Sequence, residues 1–243
     1  MKKRKDKKEN NFFYKIYSES SEYLTVSKKY IYSSFFLFFL FVSVGIIFKT
    51  PPILEQKILS YLESILEQTE GMSYPELVGF IFLNNTQTSF FGIFLGVFAG
   101  FFPFIILIFN GYILGFVISR FIEVGGVNNI FQVLWRLAPH GVFELPAVFI
   151  SIGLGLKLGL PLIYRYFKHY LDTENVLAIF LGIFFLLPSL IIAVFIDRNL
   201  RKTQFVDFDF KLRNSLKIFV FVVIPLLIIA ALIEGGLIFL LKN

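Results

Sequence analysis

Apolar residues in this chain come in long uninterrupted blocks, several of them near the roughly 20 residues that cross a bilayer core. The first, IYSSFFLFFLFVSVGIIF at 31–48, forms a span, and Pro51 and Pro52 in KTPP end it because proline cannot continue a helix. Next comes ILEQKILSYLESILEQTEG. Here Leu54, Ile58, Tyr61, Leu62, Ile65 and Leu66 recur at helical spacing, with Glu55, Glu63 and Glu67 on other faces. That pattern predicts an amphipathic helix over 53–70, packed on the domain or lying at the surface. Residues 77–122 are apolar almost throughout, and as one helix of about 45 residues they would reach roughly 70 Å, more than twice the hydrocarbon thickness. The stretch therefore folds back, with GFFPF around Pro103 as the expected break and spans near 80–101 and 103–122. Further apolar segments cover 138–160, 174–196 and 217–241. The fold class is all-α: a polytopic transmembrane helix bundle of about six hydrophobic segments, one of them re-entrant or broken.

Charge places this bundle in the membrane. Lys2, Lys3, Arg4, Lys5, Lys7 and Lys8 make a like-charge block, so residues 1–30 read as a basic cytoplasmic or interfacial segment ahead of one transmembrane domain over 31–243. Basic loops mark the cytoplasmic side. With six full crossings the 197–217 loop would lie opposite the amino terminus, yet it carries Arg198, Arg201, Lys202, Lys211, Arg213 and Lys217. Either one segment dips in and returns, with 138–160 the prime suspect, or this loop is an exception. Within the loop, 202–216 reads as a juxtamembrane element with Phe205, Phe208 and Phe210 at the interface.

Composition agrees and narrows the chemistry. Hydrophobic residues make up 56% of the chain and charged residues only 16%, which no ordinary soluble domain shows. The net charge of +6 sits in loops and the amino terminus, which fits anionic lipid rather than nucleic acid. Cysteine is absent, so disulfides, thiolate metal sites and cysteine nucleophiles are excluded. With two histidines, no HExxH and no GxSxG, no metal site, cofactor or enzymatic activity is expected.

The polar residues inside the apolar blocks are the candidates for function. In RLAPHGVFELPAVFISIGLGLKLG, His140 and Glu144 lie four apart on one helical face, between Pro139 and Pro146, which should bend or unwind the segment. An ionisable group at membrane depth costs roughly 2.5 kcal/mol or more unless a partner or water receives it. Asn84 and Asn85 in NNTQTS, Asn110 in FNGYILG and Glu234 in AALIEGG complete an intramembrane polar cluster, with Glu234 facing inward toward His140, Arg136 or Asn110. Two uses compete: stapling helices together, or a binding or conduction site. Gly92, Gly96 and Gly100 recur every four residues, as do Gly111 and Gly115, and Gly155 and Gly159. Small residues at that spacing let helices approach closely, within the chain or in a homodimer. Gly141 joins Pro139 and Pro146 as a hinge candidate.

FLNNTQTSFFGIFLGVFAGFFPFIILIFNGYILG followed by APHGVFELPAVFISIGLGLKLG resembles the stage II sporulation protein M family. The resemblance rests on the Asn-rich start of a span, an NG…G element, and Pro139, His140, Gly141, Glu144, Leu145, Pro146 and Ala147 as PHG-x-x-E-L-P-A. Glu234, late in the last span, also looks like the family's. The resemblance implies a multi-pass cell-membrane scaffold or assembly factor for other membrane or envelope proteins, and the basic block places its amino terminus in the cytoplasm. The family's namesake works with sporulation proteins D and P, which degrade peptidoglycan, and is not itself the hydrolase. Lys-, Ile- and Phe-rich usage points to an AT-rich genome, with an archaeal member as one reading. The alternative from the residues is a transporter, channel or lipid-handling protein with a site around His140, Glu144 and Glu234.

Overall fold

The computed structural model describes residues 12–97, 101–126, 141–159 and 207–242, which are helical apart from short turns and contain no strand. Helix α1 spans Phe12–Ile47, α2 Pro52–Thr69, α3 Tyr74–Phe94 with a 3-10 turn at Leu95–Val97, and α4 Phe101–Gly125. Helix α5 covers Gly141–Gly159. Helix α6, Asp207–Ile218, runs through a π-helical turn at Phe219–Val223 into α7, Ile224–Lys242. Among the described residues four helical stretches are long and apolar enough to cross a membrane: Ile16–Ile47, Phe102–Gly125, Gly141–Gly159 and Phe208–Leu240.

Several expectations change. The first helix starts well ahead of residue 31, so the boundary at residue 30 does not interrupt it. Helix α3 ends ahead of the 3-10 turn at Leu95–Val97, and Pro103 is no break but sits in the first turn of α4. In a first turn the amide proton has no intrahelical acceptor, so proline loses nothing there. The described part of 138–160 does not break either. Helix α5 continues through Pro146, and its 19 residues reach about 28 Å, close to the thickness of a bilayer core. The described part of the juxtamembrane element and the final span form one helix. Pro225 is absorbed by the wide turn before it, where the Ile224 amide bonds to the Phe219 carbonyl five residues back. The 174–196 segment lies outside the described residues.

Helix α5 is the axis of the bundle, and every residue from Ser151 to Gly159 is buried. Glycines set its distance from its neighbours. A β-carbon on Gly155 would collide with the Gly92 carbonyl, one on Gly96 with the Gly155 backbone, and one on Gly153 with Ile31. Helix α1 packs along α4 in the same way, Gly115 meeting the Val42 carbonyl and Gly111 the Phe38 carbonyl. Phe38, Leu107, Phe149 and Ile152 fill the core where α1, α4 and α5 meet.

Hydrogen bonds and ion pairs identify the two ends of the bundle. Lys217 on α6 pairs with Glu19 on α1 at 2.7 Å, and the Tyr23 hydroxyl donates to the Lys211 carbonyl at 3.3 Å. The first half of α1, the end of α5 and the start of α6 therefore share one end. At the other end, Arg120 on α4 pairs with Glu55 on α2 and the Thr50 and Tyr112 hydroxyls bond at 2.9 Å. There too the Tyr74 hydroxyl of α3 donates to the Leu232 carbonyl of α7 at 3.3 Å. Lys211 and Lys217 thus lie beside the amino-terminal half of α1 rather than opposite it, as the positive-inside rule favours.

Candidate functional site

Between the two ends, residues of six helices line a half-open cavity of about 780 Å³. Each lining face follows from helical periodicity. Helix α3 contributes Asn84, Asn85, Gln87, Thr88, Phe91 and Leu95; α4 contributes Ile106, Phe109, Asn110 and Ile113; α5 contributes Gly141, Glu144, Leu145 and Val148. Glu234 comes from α7, Phe38 from α1 and Tyr61 from α2. The amphipathic helix is thus part of the wall, even though Ile58 and Thr69 are its only fully buried residues.

Five candidates widely separated in sequence, Asn84, Asn85, Asn110, Glu144 and Glu234, line this one cavity, and Gly141 lines it with them. His140, Arg136, Pro139 and Gly100 lie outside the described residues. Asn110 turns its amide nitrogen to its own helix, donating to the Ile106 carbonyl at 2.7 Å, which leaves its oxygen as an acceptor. Among the described residues, no hydrogen bond or ion pair reaches the carboxylate of Glu144 or Glu234. The two lie close enough for their charges to interact. Gly92, Gly96, Gly111 and Gly115 are not at the cavity; they make the close helix contacts within the chain. Among the described residues no group of three or more His, Cys, Asp or Glu side chains is placed to hold a metal ion.

A family model described as Stage II sporulation protein M matches residues 34–237. The chain belongs to the stage II sporulation protein M family. The match runs from the middle of α1 to near the end of α7, so it takes in every polar residue of the cavity. No curated protein and no solved structure matches the chain.

A second polar site of this family member was not among the candidates. Lys157 on α5 is 8% exposed, donates to the Ser27 hydroxyl at 2.8 Å and lies 3.7 Å from the centre of the Tyr23 ring. The Ser27 hydroxyl in turn donates to the Tyr23 carbonyl at 2.6 Å. A lysine inside a membrane helix costs roughly 2.5–3.5 kcal/mol. One hydrogen bond to a charged group, worth about 1.5–3 kcal/mol, and a desolvated cation–π contact of about 2 kcal/mol offset that cost. The lone cation in ISIGLGLKLGL was a visible signal; the glycines around it drew attention to packing instead.

Proposed function

We propose that this protein is a non-enzymatic, multi-pass protein of the cell membrane that binds a polar ligand in the cavity and moves it through, or presents it within, the bilayer. One observation carries this reading: Glu144 and Glu234, from two helices, share a cavity with side-chain amides instead of being tied to neighbouring described helices by hydrogen bonds. A staple closes on its partner, and a cavity of this size falls in the range of small-molecule sites, about 300–1,000 Å³. Carboxylates at membrane depth recur at transport sites. The basic end with Lys211 and Lys217 faces the cytoplasm in this reading, and α2 the opposite side. The test is flux into proteoliposomes under proton, alkali-cation and small-amine gradients, with a fluorescent-lipid scrambling arm. Wild type should exceed protein-free liposomes in one arm, and Glu144→Gln and Glu234→Gln should fall to background. Wild type at background in every arm ends the reading.

A second reading is a scaffold that positions membrane or envelope proteins, as the family resemblance implies. Helix α2 favours it, because Ile53, Leu59 and Leu66 are exposed on its outer side. Crosslinking in native membranes should then capture partners, or a second copy, through α2. Recovery of the bare protein alone would count against it.

A further inference from the structure

We infer that the ligand class of this cavity is an ammonium group carried on an apolar body. The inference rests on the cavity being a ligand site and adds what the site selects.

Charge gives the sign. Two carboxylates line the cavity, and none of its described lining residues is Lys, Arg or His. An anion would meet uncompensated repulsion in a medium that screens it poorly, whereas a cation offsets the cost of both acids. The arrangement favours a larger cation over a bare metal ion, since among the described residues no three His, Cys, Asp or Glu side chains come together to hold one. A cavity of about 780 Å³ also has room for a body far larger than an ion. The hydrogen-bonding groups fit an ammonium better. Its N–H donors need three acceptors, and Glu144, Glu234 and the free Asn110 oxygen supply them from three helices. The rest of the wall fits the body. Phe91, Ile105, Phe109 and Ile113 offer apolar surface, and aromatic rings near a cation can add to its attraction. A hydrated inorganic cation would leave that aromatic wall facing water; an alkylammonium covers it. The same chemistry is found in soluble alkylamines and in the amine headgroup of an aminophospholipid, so the experiment separates these sources.

The full chain, purified in an uncharged maltoside, is titrated with octylammonium, octanol or octyl sulfate and followed by calorimetry and thermal unfolding. Octylammonium should bind and raise the unfolding temperature, while the alcohol and the sulfate do so at least roughly tenfold more weakly, the scale of one charge-assisted hydrogen bond. Glu144→Gln and Glu234→Gln should each weaken octylammonium roughly tenfold. If either fails to fold, Asn110→Ala tests the same site, because its helix bond is solely its own and its loss removes one acceptor; a weakening is expected there too. Phosphatidylethanolamine added to the same micelles then displaces octylammonium if the natural occupant is a lipid amine, and leaves it bound if the occupant is a soluble amine. Equal binding of octanol, tighter binding of octyl sulfate, or unchanged affinity in all folded variants overturns the inference. Ammonium binding without flux in proteoliposomes leaves it standing and removes only the transport reading. Flux without ammonium selectivity removes only the ligand class.

Discussion

Glu144 and Lys157 lie on the same helix, thirteen residues and so about 20 Å apart along its axis, yet their surroundings are opposite. Around Lys157 the helices touch. Tyr23 and Ser27 enclose the ammonium, and α5 is buried on all sides from Ser151 onward. Around Glu144 the same helix borders the cavity, which a second acid, Glu234, also lines. Glycines account for much of the difference. Gly153 and Gly155 bring Ile31 and Gly92 against α5 near the lysine, whereas Gly141, beside Glu144, lines the cavity and has no backbone of a neighbouring helix against it. A buried charge can be met by protein or left to something that is not protein. The lysine site is of the first kind and reads as structure; the carboxylate site is of the second and reads as function.

Breaking that contrast begins at the tight side. Gly155→Leu forces a side chain onto the Gly92 carbonyl, where backbone rather than a flexible side chain would have to move. It should destabilise by about 3 kcal/mol or more, at the upper end of overpacking effects, seen as a lowered unfolding midpoint in detergent or as loss of folded protein. A glycine variant that melts like wild type would mean the helices do not meet there.

At Lys157, truncation and neutralisation should part company. Lys157→Ala removes the packed stem and should cost about 2–4 kcal/mol. Lys157→Met keeps the stem and removes the charge, so its cost should stay under about 1.5 kcal/mol and can become a gain. Equal losses from both variants would show that the charge, not the packing, holds this site together.

The acids should behave the other way round. Glu144→Gln and Glu234→Gln each remove a charge that no described neighbour bonds, so stability should change by less than about 1 kcal/mol or rise, while ligand binding falls. Stability losses as large as those of Lys157→Ala would recast the cavity as a staple.

The smallest effect lies outside both regions, at the start of α3. The Ser73 amide and hydroxyl both donate to the Glu76 carboxylate, at 2.8 and 2.6 Å, and these bonds hold its carboxyl below the usual range. A carboxyl lowered on folding adds stability above its unfolded pKa of about 4.3 and loses it as pH falls through the folded value. Protection of the Leu77 amide against exchange, relative to its intrinsic rate at each pH, should therefore fall slightly as the Glu76 carboxyl is protonated at acid pH, and Glu76→Ala should abolish that pH dependence.

Much of this protein was legible along the chain. Block hydrophobicity fixes the membrane class because only about 20 apolar residues in a helix satisfy both the bilayer and the backbone. The amphipathic pattern at 53–70 matched α2 closely because periodicity is a local property. Asn84, Asn85, Asn110, Glu144 and Glu234 stood out because polar groups in apolar blocks are costly.

Contacts between distant segments were beyond the pattern. Helix α5 runs on through Pro146 at an exposed position, and Pro225 is accommodated by a wide turn, which local rules for proline do not foretell. Lys157 was hidden because a cation's cost is settled by Tyr23 and Ser27, more than a hundred residues away. That the acids and amides from α3, α4, α5 and α7 line a half-open cavity rather than bond to one another was decided by how the helices come together. Sequence by itself determined that polar groups would be buried in a membrane bundle, since transfer costs depend on residue type. Tertiary structure alone decided which of them found protein partners and which faced a cavity, since that depends on where distant backbones come to lie.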